Sequence, residues 1–160
     1  MTPAALADLH ARAFTTPRPW SEAEFASLTA DPFAFLLVEG DAGFLLGRVV
    51  AGEAELLTLA VAPEARGRGL GRRLVSRFLY QARLRGAEVA FLEVAEDNAP
   101  AQAVYQSAGF VCAGRRRGYF HRPVGKAANG AADGAADGVA NSAVDALVMR
   151  RVLTDGAATA

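Results

Sequence analysis

Hydrophobic residues recur along this chain with two periods, and the changes of period outline its elements. Leu6, Leu9 and Phe14 stand among alanines at helical spacing, so residues 4–14 read as an amphipathic helix that Pro17 and Pro19 end. Ser21-Glu22-Ala23-Glu24 places a serine three residues before a glutamate, just ahead of Phe25 and Leu28. That is a capping box, and it predicts a second short helix. Apolar runs at 33–38, 43–50 and 54–61 read as strands, with Ala51-Gly52-Glu53 folding the last two into an antiparallel hairpin. Leu70, Leu74, Val75, Phe78 and Leu79 return to helical spacing, and Gly86 supplies the stop. Val89–Val94 is a buried strand with one acid in it, Glu93. Asp97-Asn98-Ala99-Pro100 opens a helix that runs through Val104 and Tyr105 to Gly109. Phe110–Gly114 and Val144–Val152 are the last two strands. This order of elements suits a mixed α/β sheet flanked by helices.

Length and composition narrow the class. At 160 residues the chain is expected to form a single domain over 1–160 with a sizeable core. Seventeen basic and 17 acidic residues balance, so no global field steers it to nucleic acid or membrane. A single cysteine, Cys112, excludes an internal disulfide and suits a reducing cytoplasm. Its apolar strand makes it read as inert core. With two histidines, no metal-ligand cluster emerges, and His10 reads as a surface helix residue. No signal peptide or membrane-length apolar run is apparent. Residues 123–142 are mostly Ala, Gly, Asp and Asn, too poor in apolar surface to offset ordering entropy, and read as a flexible loop insertion. Asp133 and Asp137 are too few carboxylates for a calcium site.

The most informative stretch joins strand 54–61 to the helix at 70. Arg66-Gly67-Arg68-Gly69-Leu70-Gly71-Arg72 presents backbone N–H groups and positive charge at a helix N-terminus, where orphan donors and the dipole favour an anion. It reads as a pyrophosphate cradle, with an ordinary glycine-bearing turn as the bland alternative. Spacing excludes two common cradles. The residue about 20 positions after Gly71 is Phe91 rather than the acid of a dinucleotide fold, and Arg72-Arg73 replaces the Lys-Ser or Lys-Thr of a P-loop.

The remaining pattern, Arg-x-x-Gly-x-Gly at Arg66, Gly69 and Gly71, resembles the acetyl-coenzyme A loop of the GCN5-related N-acetyltransferases. Pro19–Phe25, Leu92-Glu93-Val94, Asn98, Ala103–Phe110 and Arg116–Phe120 follow the same family in order. Together they are similar to the RimI-type ribosomal-protein alanine N-acetyltransferases over about residues 4–120 and again at 145–153. Two departures stand out. The family opens with a strand before its first helix, and its loop is shorter than 123–142.

The resemblance implies a mostly antiparallel sheet whose parallel strands 54–61 and 89–94 splay apart, with acetyl-coenzyme A as cosubstrate and no metal. Residues 66–72 would hold its phosphates, and Leu59, Ala60 and Val61 would offer strand backbone to its pantetheine arm. Asn98 matches a coenzyme-contacting position, although an N-cap alone explains an Asn there. Glu93 matches the base that deprotonates the amine; the alternative is a structural acid paired with an arginine. Tyr105 matches the proton donor to the thiolate, against simple core packing with its hydroxyl satisfied. Trp20 and Tyr119 match the peptide groove, with packing an equal reading. Arg115-Arg116-Arg117 reads as a solvated strand end rather than an RNA site. Glu55 reads as a strand-end acid.

Three functions fit these residues. The first transfers acetyl directly to a protein N-terminal α-amine, ribosomal in the RimI case, with no nucleic acid or membrane partner and a monomer or weak dimer as the working state. The second acetylates lysine or a small amine. The third binds acyl-coenzyme A without turnover, against which Glu93 and Tyr105 both speak. At about pH 7.5, neutralising an α-amine costs about 0.7 kcal/mol and a lysine about 4 kcal/mol, which tilts the balance to the first.

Overall fold

The computed structural model describes residues 1–14, 18–122 and 142–154. Two helices come first, α1 (Pro3–Ala13) and α2 (Glu22–Ala30), followed by strands β1 (Ala34–Glu39), β2 (Gly43–Val50) and β3 (Glu53–Val61). After a short turn at Pro63–Ala65 come α3 (Leu70–Leu84), β4 (Val89–Ala95), α4 (Ala99–Ser107), β5 (Val111–Arg122) and β6 (Ser142–Val152). The six strands form one sheet in the order β1-β2-β3-β4-β6-β5. Only β3 and β4 run parallel; the other pairs are antiparallel. This is the mixed, mostly antiparallel α/β sheet that the sequence predicts. The expected loop at 123–142 lies outside the described residues except for Ser142, which starts β6.

Local chemistry explains the helix ends. The capping box on α2 forms as read: Glu24 N–H donates to Ser21 Oγ at 3.2 Å, and Ser21 N–H donates to Glu24 Oε2 at 2.7 Å. Both α3 and α4 end in a Schellman motif. At α3, Ala87 N–H reaches Ala82 O and Gly86, at φ +80, closes on Arg83 O. At α4, Phe110 N–H reaches Tyr105 O while Gly109 N–H reaches Gln106 O. The apolar contact that accompanies the motif is here Phe110 edge-on to Tyr105, centroids 6.1 Å apart. The cap of α4 therefore fixes the ring of Tyr105.

Strand alternation sends two cores to opposite faces. Under α3 and α4 lie Phe35, Leu37, Leu45, Leu56, Phe78, Leu92 and Met149 with their neighbours. Against α1 and α2 lie Leu6, Leu9, Phe25, Phe44 and Ala60. Gly47 of β2 permits the closest approach, because a Cβ there would stand 2.7 Å from Phe35 and 2.8 Å from Phe78.

Three differences from expectation have physical causes. Strand β5 runs to Arg122, well beyond Gly114. It is the sheet's edge and exposed over most of its length, so no apolar pattern marks its extent. Cys112 shares that exposure and is not core. His10 is the reverse: it lies on the buried stripe of α1 with Leu6 and Leu9 and is only 1% exposed.

Candidate active site

The β2–β3 register shifts at Leu46/Gly47, so that Leu46 opposes Thr58 while Gly47 opposes Leu56. Leu57 is the extra residue of a β-bulge, and a bulge bends and twists its strand. On the other side of β3 the ladder with β4 ends at the same level, Leu56 with Leu92. Beyond it β3 continues to Val61 and β4 to Ala95 without pairing. The result is a wedge, with main-chain groups of Leu59, Ala60 and Val61 unpartnered by β4 on one wall and Glu93–Ala95 on the other. The splay expected from the resemblance is present.

At the mouth of the wedge lies the glycine loop. Gly67 and Gly69 have φ of +76 and +78, and a Cβ on either would meet nothing within 4 Å. Their conformation and the open space both suit a close-approaching ligand. Gly69 is the N-cap of α3, and no side chain caps this helix end among the described residues. No acid occupies the first turn. Arg68 and Arg72 are exposed beside it, while Arg66 donates to Ala13 O at 3.1 Å and ties the loop to α1. Leu70 is buried, and Gly71 fits between Val104 of α4 and Leu59 of β3. Uncapped N–H groups, the exposed Arg68 and Arg72, and a strand edge unpaired with β4 fit a phosphorylated ligand with an amide-bearing arm.

Asn98 caps α4, its Oδ1 accepting from Ala101 N–H at 3.2 Å. Tyr105 is buried at 6% exposure, and desolvation holds its phenol above the usual tyrosine range. A phenol that keeps its proton has one to give.

Glu93 faces away from α3 and opposite Val148 of β6. It is paired with an arginine, the alternative the sequence left open, since Arg116 Nε stands 3.0 Å from its Oε1. The Arg116 guanidinium also lies 5.4 Å from the centre of the Tyr119 ring. Glu93, Arg116 and Val148 border an open cleft of about 650 Å³ with Arg48, Glu55 and Phe91. Arg48, which pairs with Glu55 at 2.9 Å, also lines a second cleft with Trp20, Leu28 and Leu57. The two clefts make a trough from Trp20 past Arg48 to Glu93. Arg115 is exposed on β5, solvated as read, and pairs there with Glu96 at 2.7 Å and Asp145 at 3.2 Å.

Sequence reasoning passed over Arg48 and Thr58, read Arg116 only as part of a family motif and a solvated strand end, and placed His10 on the surface. His10 could have been found, because positions 6, 9 and 10 share one helix face. The Arg116–Glu93 pairing carried no signal, since only the β5–β6–β4 register brings Arg116 over Glu93. Among the described residues no helix is long and apolar enough to cross a membrane.

Comparison with known proteins agrees with this geometry. Residues 4–110 match the acetyltransferase (GNAT) family. The [ribosomal protein bS18]-alanine N-acetyltransferase of Escherichia coli K12 is 39% identical over 105 residues, 64% of this chain and 71% of that protein. The N-alpha-acetyltransferase RimI of Mycobacterium tuberculosis is 38% identical over 122 residues, 71% of this chain and 75% of that one. The crystal structure of the E. coli ribosomal-protein-S18-alanine N-acetyltransferase superposes with a TM-score of 0.76 at 29% identity, covering 99% of this chain and 92% of that one. The wedge, the glycine loop and these matches agree, and the chain belongs to the acetyltransferase (GNAT) family.

Proposed function

We propose that this chain transfers acetyl from acetyl-coenzyme A to the α-amine of a protein N-terminus, a ribosomal protein being the first candidate. The family uses acetyl-coenzyme A as cosubstrate. The observation that carries the reading is the wedge between β3 and β4, which opens beside both the glycine loop and Glu93. The loop and α3 N-terminus bind the phosphates, Leu59–Val61 orient the arm, and Asn98 borders it from α4. Glu93 takes the amine's proton, directly or through water, as nitrogen bonds to the thioester carbon. Tyr105 gives its proton to sulfur as the carbon–sulfur bond breaks. Trp20 and Tyr119 flank the acceptor in the trough. We place the reaction in the cytoplasm, with a single domain over 1–160 acting as monomer or weak dimer.

Thiol release from acetyl-coenzyme A, followed by mass spectrometry of two peptides, tests this. One peptide has a free Ala-Arg N-terminus and no lysine; the other has a blocked N-terminus and an internal lysine. Acetylation of the first alone is expected. Modification of the second alone would replace the reading by lysine or small-amine transfer, and binding without transfer to either would reject α-amine transfer to this acceptor.

A further inference from the structure

Besides the Tyr105 phenol, two polar side chains are buried among the described residues, His10 and Thr58, and they are bonded to each other. Neither takes part in the proton transfers above. Trp20 N–H lies 3.1 Å from His10 Nδ1, and a backbone N–H can only donate, so Nδ1 carries the lone pair. In the neutral ring the proton is then on Nε2, which donates to Thr58 Oγ1 at 3.0 Å. Aromatic rings enclose the imidazole: Trp20 stacked at 5.2 Å, Phe14 at 4.5 Å, and Phe25 and Phe44 beyond.

The positions joined are telling. Thr58 follows the bulge residue Leu57 and directly precedes Leu59–Val61 on the wall of the wedge. Trp20 lines the trough with Leu57 and Arg48. One ring therefore spans α1, the segment before α2, and β3 at the point where it leaves β4. We propose that His10 is a positioning residue, whose two opposed hydrogen bonds set the Trp20 wall of the acceptor groove against the coenzyme-binding strand. The proposal rests on the acceptor occupying that groove.

The tie exists only while the ring is neutral, since a doubly protonated ring cannot accept from Trp20 N–H. Glu24 of α2 is the charged group acting on the ring, and it is itself held by Arg18 and Ser21. On α1, Arg12 pairs with Asp8; β2 and β3 present Phe44 and Thr58.

Four full-length variants test the proposal with acetyl-coenzyme A and the Ala-Arg peptide. Gln at position 10 keeps a donor toward Thr58 but loses the acceptor for Trp20, whereas Asn keeps an acceptor near the Nδ1 position. His10→Gln is expected to raise the acceptor KM about tenfold while the acetyl-coenzyme A KM stays within about twofold, and His10→Asn to recover much of that loss. Thr58→Ser is expected to match the wild type and Thr58→Val to behave like His10→Gln, a pair that serves if position 10 variants fail to fold. Nitrogen-15 NMR of the imidazole should show Nδ1 unprotonated and Nε2 protonated at neutral pH. Unchanged acceptor KM in folded variants, or a proton on Nδ1, would overturn the proposal alone. A wild-type protein that acetylates no peptide would instead remove the acceptor-groove reading, and the proposal with it.

Discussion

The two faces of the sheet are made by the same strands, yet one is dry and closed while the other is partly open and charged. Under α3 and α4, alternate residues of β1–β4 and β6 meet Leu74, Val75, Phe78 and Leu79 in an apolar core that also holds the ring of Tyr105. On the opposite face, α1 and α2 cover only the β1–β3 side, with His10 and Thr58 buried inside. Further across lie Arg48, Glu55, Glu93 and Arg116 around open clefts. Period-2 alternation thus sends most of the stability to one face and Glu93, Arg48 and Arg116 to the other, with Tyr105 the one proposed catalytic group on the closed side. The bulge at Leu57 interrupts the sorting, turning Thr58 and Ala60 to the open side and Leu59 toward the α3 core.

Away from Tyr105, damage to the closed face should cost stability without changing turnover. Phe78 stacks on Phe35 at 5.9 Å and lies over Gly47. Phe78→Ala should lower unfolding free energy by about 3–5 kcal/mol in urea titration. Its kcat per folded molecule, measured cold, should match the wild type. A proportionate fall in kcat would show that the faces are not separable.

The buried polar pair on the open face should break with pH instead. Desolvation pulls His10 from its ordinary 6.5 down to about 4, with Glu24 opposing. Above 6.5 the ring is neutral in folded and unfolded chains alike, so its contribution is complete. Between 6.5 and about 4 the unfolded chain takes the proton first, and stability falls as pH drops, by up to about 3 kcal/mol. Urea titrations at several pH values check this against His10→Gln, which should lose far less over the same window. Parallel losses in the two proteins would assign the acid sensitivity to other groups.

Smaller still in free energy, Glu93→Gln and Tyr105→Phe should each cut kcat at least about tenfold, roughly 1.4 kcal/mol. Calorimetry should show coenzyme affinity nearly unchanged. Lost coenzyme binding in Glu93→Gln would reject its role as base and leave it as the partner of Arg116.

How much of this was legible in the sequence follows from how local each cause is. The Ser21–Glu24 box and the Gly86 and Gly109 stops are set by residues close in sequence, and each formed as read; the glycine loop likewise joins β3 to α3 at the expected place. Tyr105 and Asn98 could be placed on α4, but the Phe110 contact that fixes Tyr105 emerged only with the cap. Long-range register was hidden. The Arg116–Glu93 pair depends on two antiparallel ladders, and the wedge depends on a bulge that Leu56-Leu57-Thr58 does not advertise. His10 and Cys112 were misjudged for the same reason: residue type was allowed to outweigh position, although helical spacing marked His10 as inward and edge exposure governs Cys112.

The glycine loop permits the finest test of the comparison, because conformation and ligand binding can be separated there. Gly69 holds φ +78 with open space around its missing Cβ, so an alanine would meet no clash and would strain only the backbone. Gly40, in the turn between β1 and β2, shares both properties at φ +54. Either substitution to alanine should therefore cost about 1 kcal/mol of stability. Only Gly69→Ala alters the residue that aims the first N–H groups of α3, so it alone should weaken acetyl-coenzyme A binding several-fold in calorimetry, about 1 kcal/mol. Equal weakening by both variants would trace the effect to general loosening of the fold. Equal stability loss with affinity lost only at Gly69 would show that this glycine serves the coenzyme as well as the chain.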